Sequence, residues 1–316
     1  MTFRYHIVSL VSLFLALAVG IALGGGPLQG KGDNTLVAQV KSERQARSDL
    51  RAQVADLRSG GTFTDQFATT AAPGLIGDRL RGHVVDLVVL PTARPADVTG
   101  LKTLVGVAGA TVGGTVRVGK QLVDVSNKQL VDELGNQLEG RASGVSIAPD
   151  ATPYERIGAL IARAIGTDTR GGDRVDPTAT SVLAGLTTTN LMSADGRLDR
   201  RGDLVLFVTG DGEGSSSAQQ GASSIVTTLV HTVDGDTGGV VLAGTTASAR
   251  GRGQVKAVRD DVSTAKVVST VDALGSTVGR VVTVMALAGQ AAGQAGQYGV
   301  VDPADGAMPG GRAASD

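Results

Sequence analysis

The sequence predicts an α/β protein: an N-terminal transmembrane helix and a short coiled coil, followed by a Rossmann-like body built on a mostly parallel sheet. Three observations carry this expectation. Ile7 to Leu23 holds no charged residue; residues 34 to 58 place aliphatic side chains at partial heptad spacing; and from His83 onward β-branched runs alternate with helical periodicities. The expected segments are an anchor over 1–26, a juxtamembrane helix over 27–60, an extracytoplasmic body over 61–299 and a disordered tail over 300–316.

The run IVSLVSLFLALAVGIAL (Ile7 to Leu23) has Ser9 and Ser12 as its only polar side chains, and both are able to bond back to the helix. At 1.5 Å per residue it spans about 26 Å, so flanking residues such as Tyr5 and Gly24 are needed to cross a ~30 Å hydrocarbon core. A cleaved signal peptide is the rival reading, with Arg4 as its positive end and Ala16-Leu17-Ala18 as a small-x-small pattern. The apolar run exceeds the usual 7–15 residues of such signals, which favours an uncleaved anchor. Arg4 before the run and Lys31 and Lys41 after it leave the charge rule for orientation near a tie.

Beyond Gly24-Gly25-Gly26-Pro27 the chain becomes polar and helical. With Leu36, Leu50 and Leu57 at d positions, Val40 and Val54 fall at a, while Glu43 and Arg47 occupy the seam of the middle heptad. Leu36, Val40, Leu50, Val54 and Leu57 are therefore the candidate partner-binding residues, for a second copy or another protein, with a polar layer setting register. A solvated connector that never pairs has the same pattern over so few heptads.

In the body, His83 to Leu90 reads as a strand, Ala96 to Ala108 as a helix and Ala110 to Val118 as a second strand. Helices are expected at Ser126 to Leu138, Thr152 to Ile165, Pro177 to Asn190 and Ser215 to His231. Strands are expected at Asp203 to Val208, Gly239 to Ala243, Val267 to Thr270 and Arg280 to Gly289. Such alternation implies a parallel sheet covered on both faces.

Composition excludes several functions. The 29 Lys and Arg against 30 Asp and Glu provide no field for nucleic acid. With no Cys, the chain has no disulfide, thiolate nucleophile, zinc finger or iron–sulfur site. Glycine is 46 of 316 residues, about twice the usual ~7%.

Chemistry-bearing motifs are few. TGDGEGSSS (Thr209 to Ser217) joins a strand to a helix, but it is not a G-x-G-x-x-G, and Asp211 and Glu213 would repel a phosphate. Asp234/Asp236 and Asp260/Asp261 read as loop or surface carboxylates. Ser263 and Lys266 form a Ser-x-x-Lys without the other motifs that give that spacing meaning. His6, His83 and His231 are not at ligand spacing; His83 and His231, each at the end of an element, are the candidate metal residues. No resident cofactor and no enzymatic activity are expected.

RYHIVSLVSLFLALAVGIALG (Arg4 to Gly24) and VSTVDALGSTVGRVVTVMALAGQAAGQAGQYG (Val268 to Gly299) resemble the two ends of the actinobacterial MctB family of copper transporters. The resemblance implies a cell-envelope membrane protein, cytoplasmic at its N-terminus, with copper as transported ion and a role in copper efflux or homeostasis. Some members look like partners of a septal protein that controls peptidoglycan hydrolysis, which implies an alternative: a non-enzymatic regulator or scaffold of septal peptidoglycan hydrolysis, acting through the coiled coil and the body. In one respect this chain departs from the family. Where members carry histidines, for instance in a GHYG motif, Gln290, Gln294 and Gln297 stand here, and amides are poor ligands for Cu(I).

Overall fold

The computed structural model describes residues 3–24 and 29–310, with side chains from Tyr5 to Gly24 and from Ala38 onward. The chain divides into two compact units, Met1–Thr62 and Phe63–Asp316.

In the first unit α1 spans Phe3–Gly24. Its 22 residues reach about 33 Å, enough for a bilayer core, and the Tyr5–Gly24 stretch is long and apolar enough to cross a membrane. The Ser12 hydroxyl donates to Val8 O at 2.9 Å, as expected of a serine in an apolar helix.

Helix α2 begins in this unit and runs Gln29–Ile76 without a break at Ser59-Gly60-Gly61, overrunning the expected end near residue 60. Two glycines cost about 2 kcal/mol in a helix interior. That loss is offset downstream, where Ala68, Ala72 and Ile76 are buried in the second unit and Asp65 Oδ1 accepts from Thr277 N at 2.7 Å. The expected partner-binding residues Val40, Leu50, Val54 and Leu57 are exposed along α2; the side chain of Leu36 lies outside the described residues.

The second unit contains β1 (Val84–Val89), α3 (Pro95–Val107), β2 (Thr111–Val118), α4 (Lys128–Glu139), α5 (Pro153–Ile165), β3 (Asp173–Arg174), α6 (Pro177–Thr188), β4 (Met192–Ala194) and β5 (Arg200–Arg201). It continues through β6 (Leu204–Val208), α7 (Ser216–Asp234), β7 (Val240–Ala243), α8 (Gln254–Asp260), α9 (Val262–Ala265), β8 (Ser269–Val271), α10 (Thr277–Ala291) and β9 (Gln297–Tyr298). The main sheet has the order β4-β2-β1-β6-β7-β8-β9. Every neighbouring pair is parallel except β2 and β4, and β3 with β5 forms a separate two-stranded antiparallel sheet.

Alternate strand residues feed two cores. Val88, Val116, Val205 and Phe207 pack with α4 to α8 on one face. Val85, Leu87, Val89, Leu206 and Val208 pack with α3, α10 and the end of α2 on the other. Burial on both faces explains why β6 reads as a continuous apolar run and β1 as one broken only by Asp86. Helix starts are locally encoded: Thr152 and Glu155 form a reciprocal capping box on α5, and Asp176, Ser215 and Ser276 cap α6, α7 and α10.

Two expectations are corrected. Arg280 to Gly289 is not a strand but the middle of α10. The run from Val281 to Leu287 is buried on every side, which gives a helix without a polar stripe, and a β-branched apolar run of this length reads the same way as a strand. Nor is the segment after residue 300 a loose tail. Val300 N and Val301 N donate to the two oxygens of Asp272 at 2.6 and 2.9 Å, and Asp305 Oδ2 accepts from Gln297 N at 2.8 Å. Low hydropathy predicts disorder only when backbone groups find no partner, and here buried side chains supply them; residues 311–316 lie outside the described residues.

Candidate functional site

The strand order reverses direction between β1 and β6, and in an open α/β sheet that is where a crevice forms at the carboxyl ends of the strands. A cleft of about 290 Å³ lies there, between the β1 and β6 loops and the first turns of α7 and α8. Gly210 is required at this point, because a Cβ would collide with the Thr92 carbonyl oxygen. Gly210 N donates to Thr92 Oγ1 at 3.1 Å, and the Thr209 hydroxyl bonds both Thr92 Oγ1 and the Gln254 carboxamide oxygen. The acidic residues of the β6 loop are already engaged: Thr245 donates to Asp211 at 2.5 Å, and Lys120 meets Glu213 at 3.0 Å. Two carboxylates in the loop entering α7 oppose a phosphate at the helix N-terminus. The crevice is therefore a small pocket of hydroxyls, amides and aliphatic groups together with Lys120, Asp124, Glu213 and Arg252, and its acidic loop does not favour a phosphate.

The candidate metal residues His83 and His231 each have one side-chain hydrogen-bond partner among the described residues. His83 is buried before β1, with Nδ1 2.6 Å from Asp203 Oδ2, and Asp203 Oδ1 accepts from Val84 N at 2.6 Å. This pair ties the starts of two neighbouring strands together. His231, in the last turn of α7, has the Thr264 hydroxyl 3.4 Å from Nδ1. Met192 lies buried in β4 and Met285 in α10. Among the described residues no three His, Cys, Asp or Glu side chains form a group able to hold a metal ion.

The acidic and Ser-x-x-Lys motifs serve the fold. Asp261 caps α9, accepting from the Ser263 hydroxyl and from Thr264 N; those bonds, the serine first, hold its carboxyl down to about 2. Asp260 pairs with Lys256 at 2.7 Å. Asp234 accepts from Val240 N at 3.1 Å, and burial pushes its carboxyl up to about 6. Burial first, and then Asp168, raises Asp236.

Of the three glutamines, two are built into the sheet edge. Gln290 Nε2 donates to Val267 O and Ser269 Oγ, both at 2.8 Å. Gln297 Nε2 donates to Ala265 O and Val268 O, while its Oε1 accepts from the Thr270 hydroxyl. The Gln297 amide thus has both hydrogens filled and bridges α9, β8 and β9.

Comparison with known proteins gives these features a context. The family described as "Copper transport outer membrane protein, MctB" matches residues 1–309. The chain belongs to the MctB family. Relatives named "Copper transporter MctB" from Mycobacterium tuberculosis (strain ATCC 25618 / H37Rv) and Mycobacterium bovis are 28% identical over 298 residues, 90% of this chain and 91% of the relative. The Mycobacterium leprae relative of the same name is 27% identical over 311 residues, 94% of this chain and 95% of its own. MctB membership here comes with an open sheet covered by helices on both faces, not a closed barrel, so among the described residues α1 is the segment suited to a bilayer.

The donor inventory makes a direct prediction for this MctB chain. In competition with a chromophoric Cu(I) chelator the full chain in detergent should retain no copper at sub-nanomolar free metal, because among the described residues no three His, Cys, Asp or Glu side chains converge. One equivalent retained, and lost on changing His83 and His231 to Ala, would show that those two side chains leave their present partners to form a site.

Proposed function

We propose that the chain is a non-catalytic, single-pass envelope protein of copper efflux or homeostasis, with its N-terminus in the cytoplasm and its α/β body outside. The match to the copper-transport family over residues 1–309 carries this reading. One apolar helix encloses no pore, so passage of copper through this chain requires several copies or a partner.

Two features support assembly. Ser12, Ala16, Gly20 and Gly24 recur every fourth residue on α1, a spacing that lets membrane helices approach closely, and the space around Gly20 and Gly24 is open. On α2 the stripe of Val40, Leu50, Val54 and Leu57 is exposed at the spacing of a paired seam. Replacing Leu50 and Val54 together by Asp places charges in such a seam at a cost of several kcal/mol. The variant is expected to run as a smaller species than the parent in detergent; equal sizes would make α2 a bare connector.

A deletion strain tests the function itself. Raised cell copper and copper sensitivity, restored by the gene, are the expected result. Division or wall defects at normal copper would instead favour the regulator of septal peptidoglycan hydrolysis.

A further inference from the structure

The two-stranded sheet of β3 and β5, together with α6 and the turn after β4, encloses a cleft of about 800 Å³. Its charge is unbalanced once the carboxylates around it are assigned. Asp173 is taken by Arg201 at 3.3 Å, Asp176 by Arg163 at 2.5 Å, Asp195 by Arg117 at 2.7 Å and Asp199 by Arg197 at 3.1 Å. Two guanidinium groups at the cleft remain without a carboxylate among the described residues. Arg200 uses Nη2 alone, on the carbonyls of Gly171 and Gly172. Arg174, exposed, makes no side-chain hydrogen bond or ion pair with any described residue. Beneath them the lining is aliphatic: Leu198 is buried, and Val175 and Leu183 are half-buried.

A planar guanidinium with free donors selects carboxylate or phosphate oxygens in a two-point contact. An aliphatic floor beside it selects against a bare, fully hydrated anion, because covering such a floor gains free energy only when the ligand brings apolar area of its own. We propose that this cleft binds an amphiphilic anion, a phosphate or carboxylate on a short aliphatic group, with Arg174 and Arg200 on the anion and Val175, Leu183 and Leu198 under the chain. The anion comes either from a lipid headgroup or from a soluble ester, and the site chemistry is the same for both.

The test uses the full chain in phosphatidylcholine nanodiscs, with empty discs as blank, and calorimetric titration of hexyl phosphate, inorganic phosphate and hexyltrimethylammonium. Hexyl phosphate is expected to bind about tenfold or more tighter than inorganic phosphate, and the cation not at all. Arg174→Gln should weaken it by ~10–100-fold, the loss of one charge-assisted contact, and Arg174→Lys by less. Leu183→Gln should erase the preference over inorganic phosphate. Because the Arg174 side chain bonds to no described residue, its variants keep the fold, and an unchanged circular dichroism spectrum verifies this. Discs containing phosphatidylglycerol separate the sources: competition there assigns the anion to lipid, and equal binding in both discs assigns it to solution. Equal affinity for the cation, absence of binding at millimolar hexyl phosphate, or indifference to Arg174→Gln combined with Arg200→Gln overturns the proposal.

Discussion

Arg259→Ala is expected to destabilise the body by about 3–5 kcal/mol, the range seen when one partner of a buried ion pair is removed. Arg259 lies in α8 and reaches four acceptors: Thr270 Oγ1 at 2.8 Å, Asp272 Oδ2 at 3.0 Å, and the carbonyls of Tyr298 and Val301 at 2.7 Å each. The Asp272 side chain is fully buried. Without the guanidinium its charge would retain only the N–H groups of Val300 and Val301, and two carbonyls of the closing segment would lose their donor. Such a loss is a large fraction of the ~5–15 kcal/mol typical of a domain. Hydrogen exchange at residues 297–306 should rise first, since those backbone groups are what the arginine holds. Arg259→Lys keeps the charge but not the fork, and should fall between. Denaturation shifted by less than ~1 kcal/mol, with exchange at the edge strand unaltered, would mean that the segment is held by other contacts.

Asp86→Asn should act in the opposite direction. Asp86 sits inside β1, where Gly202 N donates to Oδ2 at 2.7 Å and Oδ1 has no partner. Burial pushes its carboxyl up to about 7; the N–H groups of Gly202 and Gly114 draw it down, and Asp203 adds to the rise. The folded protein therefore holds this proton more tightly than the unfolded chain, whose value is near 3.8. The stabilisation is complete below pH ~4 and is lost as pH rises through 7, by on the order of 4 kcal/mol. Asp234, raised to about 6, works in the same direction. Stability measured from pH 5 to 8 should fall in the parent. An amide cannot ionise, so Asp86→Asn should add about 1–3 kcal/mol at pH 8 and flatten the profile. A parent whose stability climbs between pH 5 and 8 would contradict this account.

The architecture was readable in the sequence where burial on two faces produced unbroken apolar runs, as at Asp203 to Val208, or where a cap announced a helix, as at Thr152. It was not readable where packing overrode local signals. Gly60, Gly61 and Pro73 look like breakers, yet α2 passes through all three because its far end is buried. Val281 to Leu287 has the composition of a strand and forms a helix because it is enclosed all round. The clusters were harder still. His83 and Asp203 are 120 positions apart, and Arg174 and Arg200 meet through two strands of two residues each, too short for any periodicity to register. The glutamines of the closing segment were visible in the sequence, but only the hydrogen bonds of Gln297 show what its amide does there.

The position of β1 also constrains the order of events in folding. The first strand synthesised lies inside the sheet and pairs with β6, in a register that sets Asp86 against Val205. Until residue 208 is available, β1 and β2 form a ribbon whose apolar edge is open, and only long-range closure completes it. Proteins dominated by such distant pairings fold slowly and expose adhesive edges while they wait. The nascent body therefore leaves the β6-facing edge of β1 unpaired until β6 has been made.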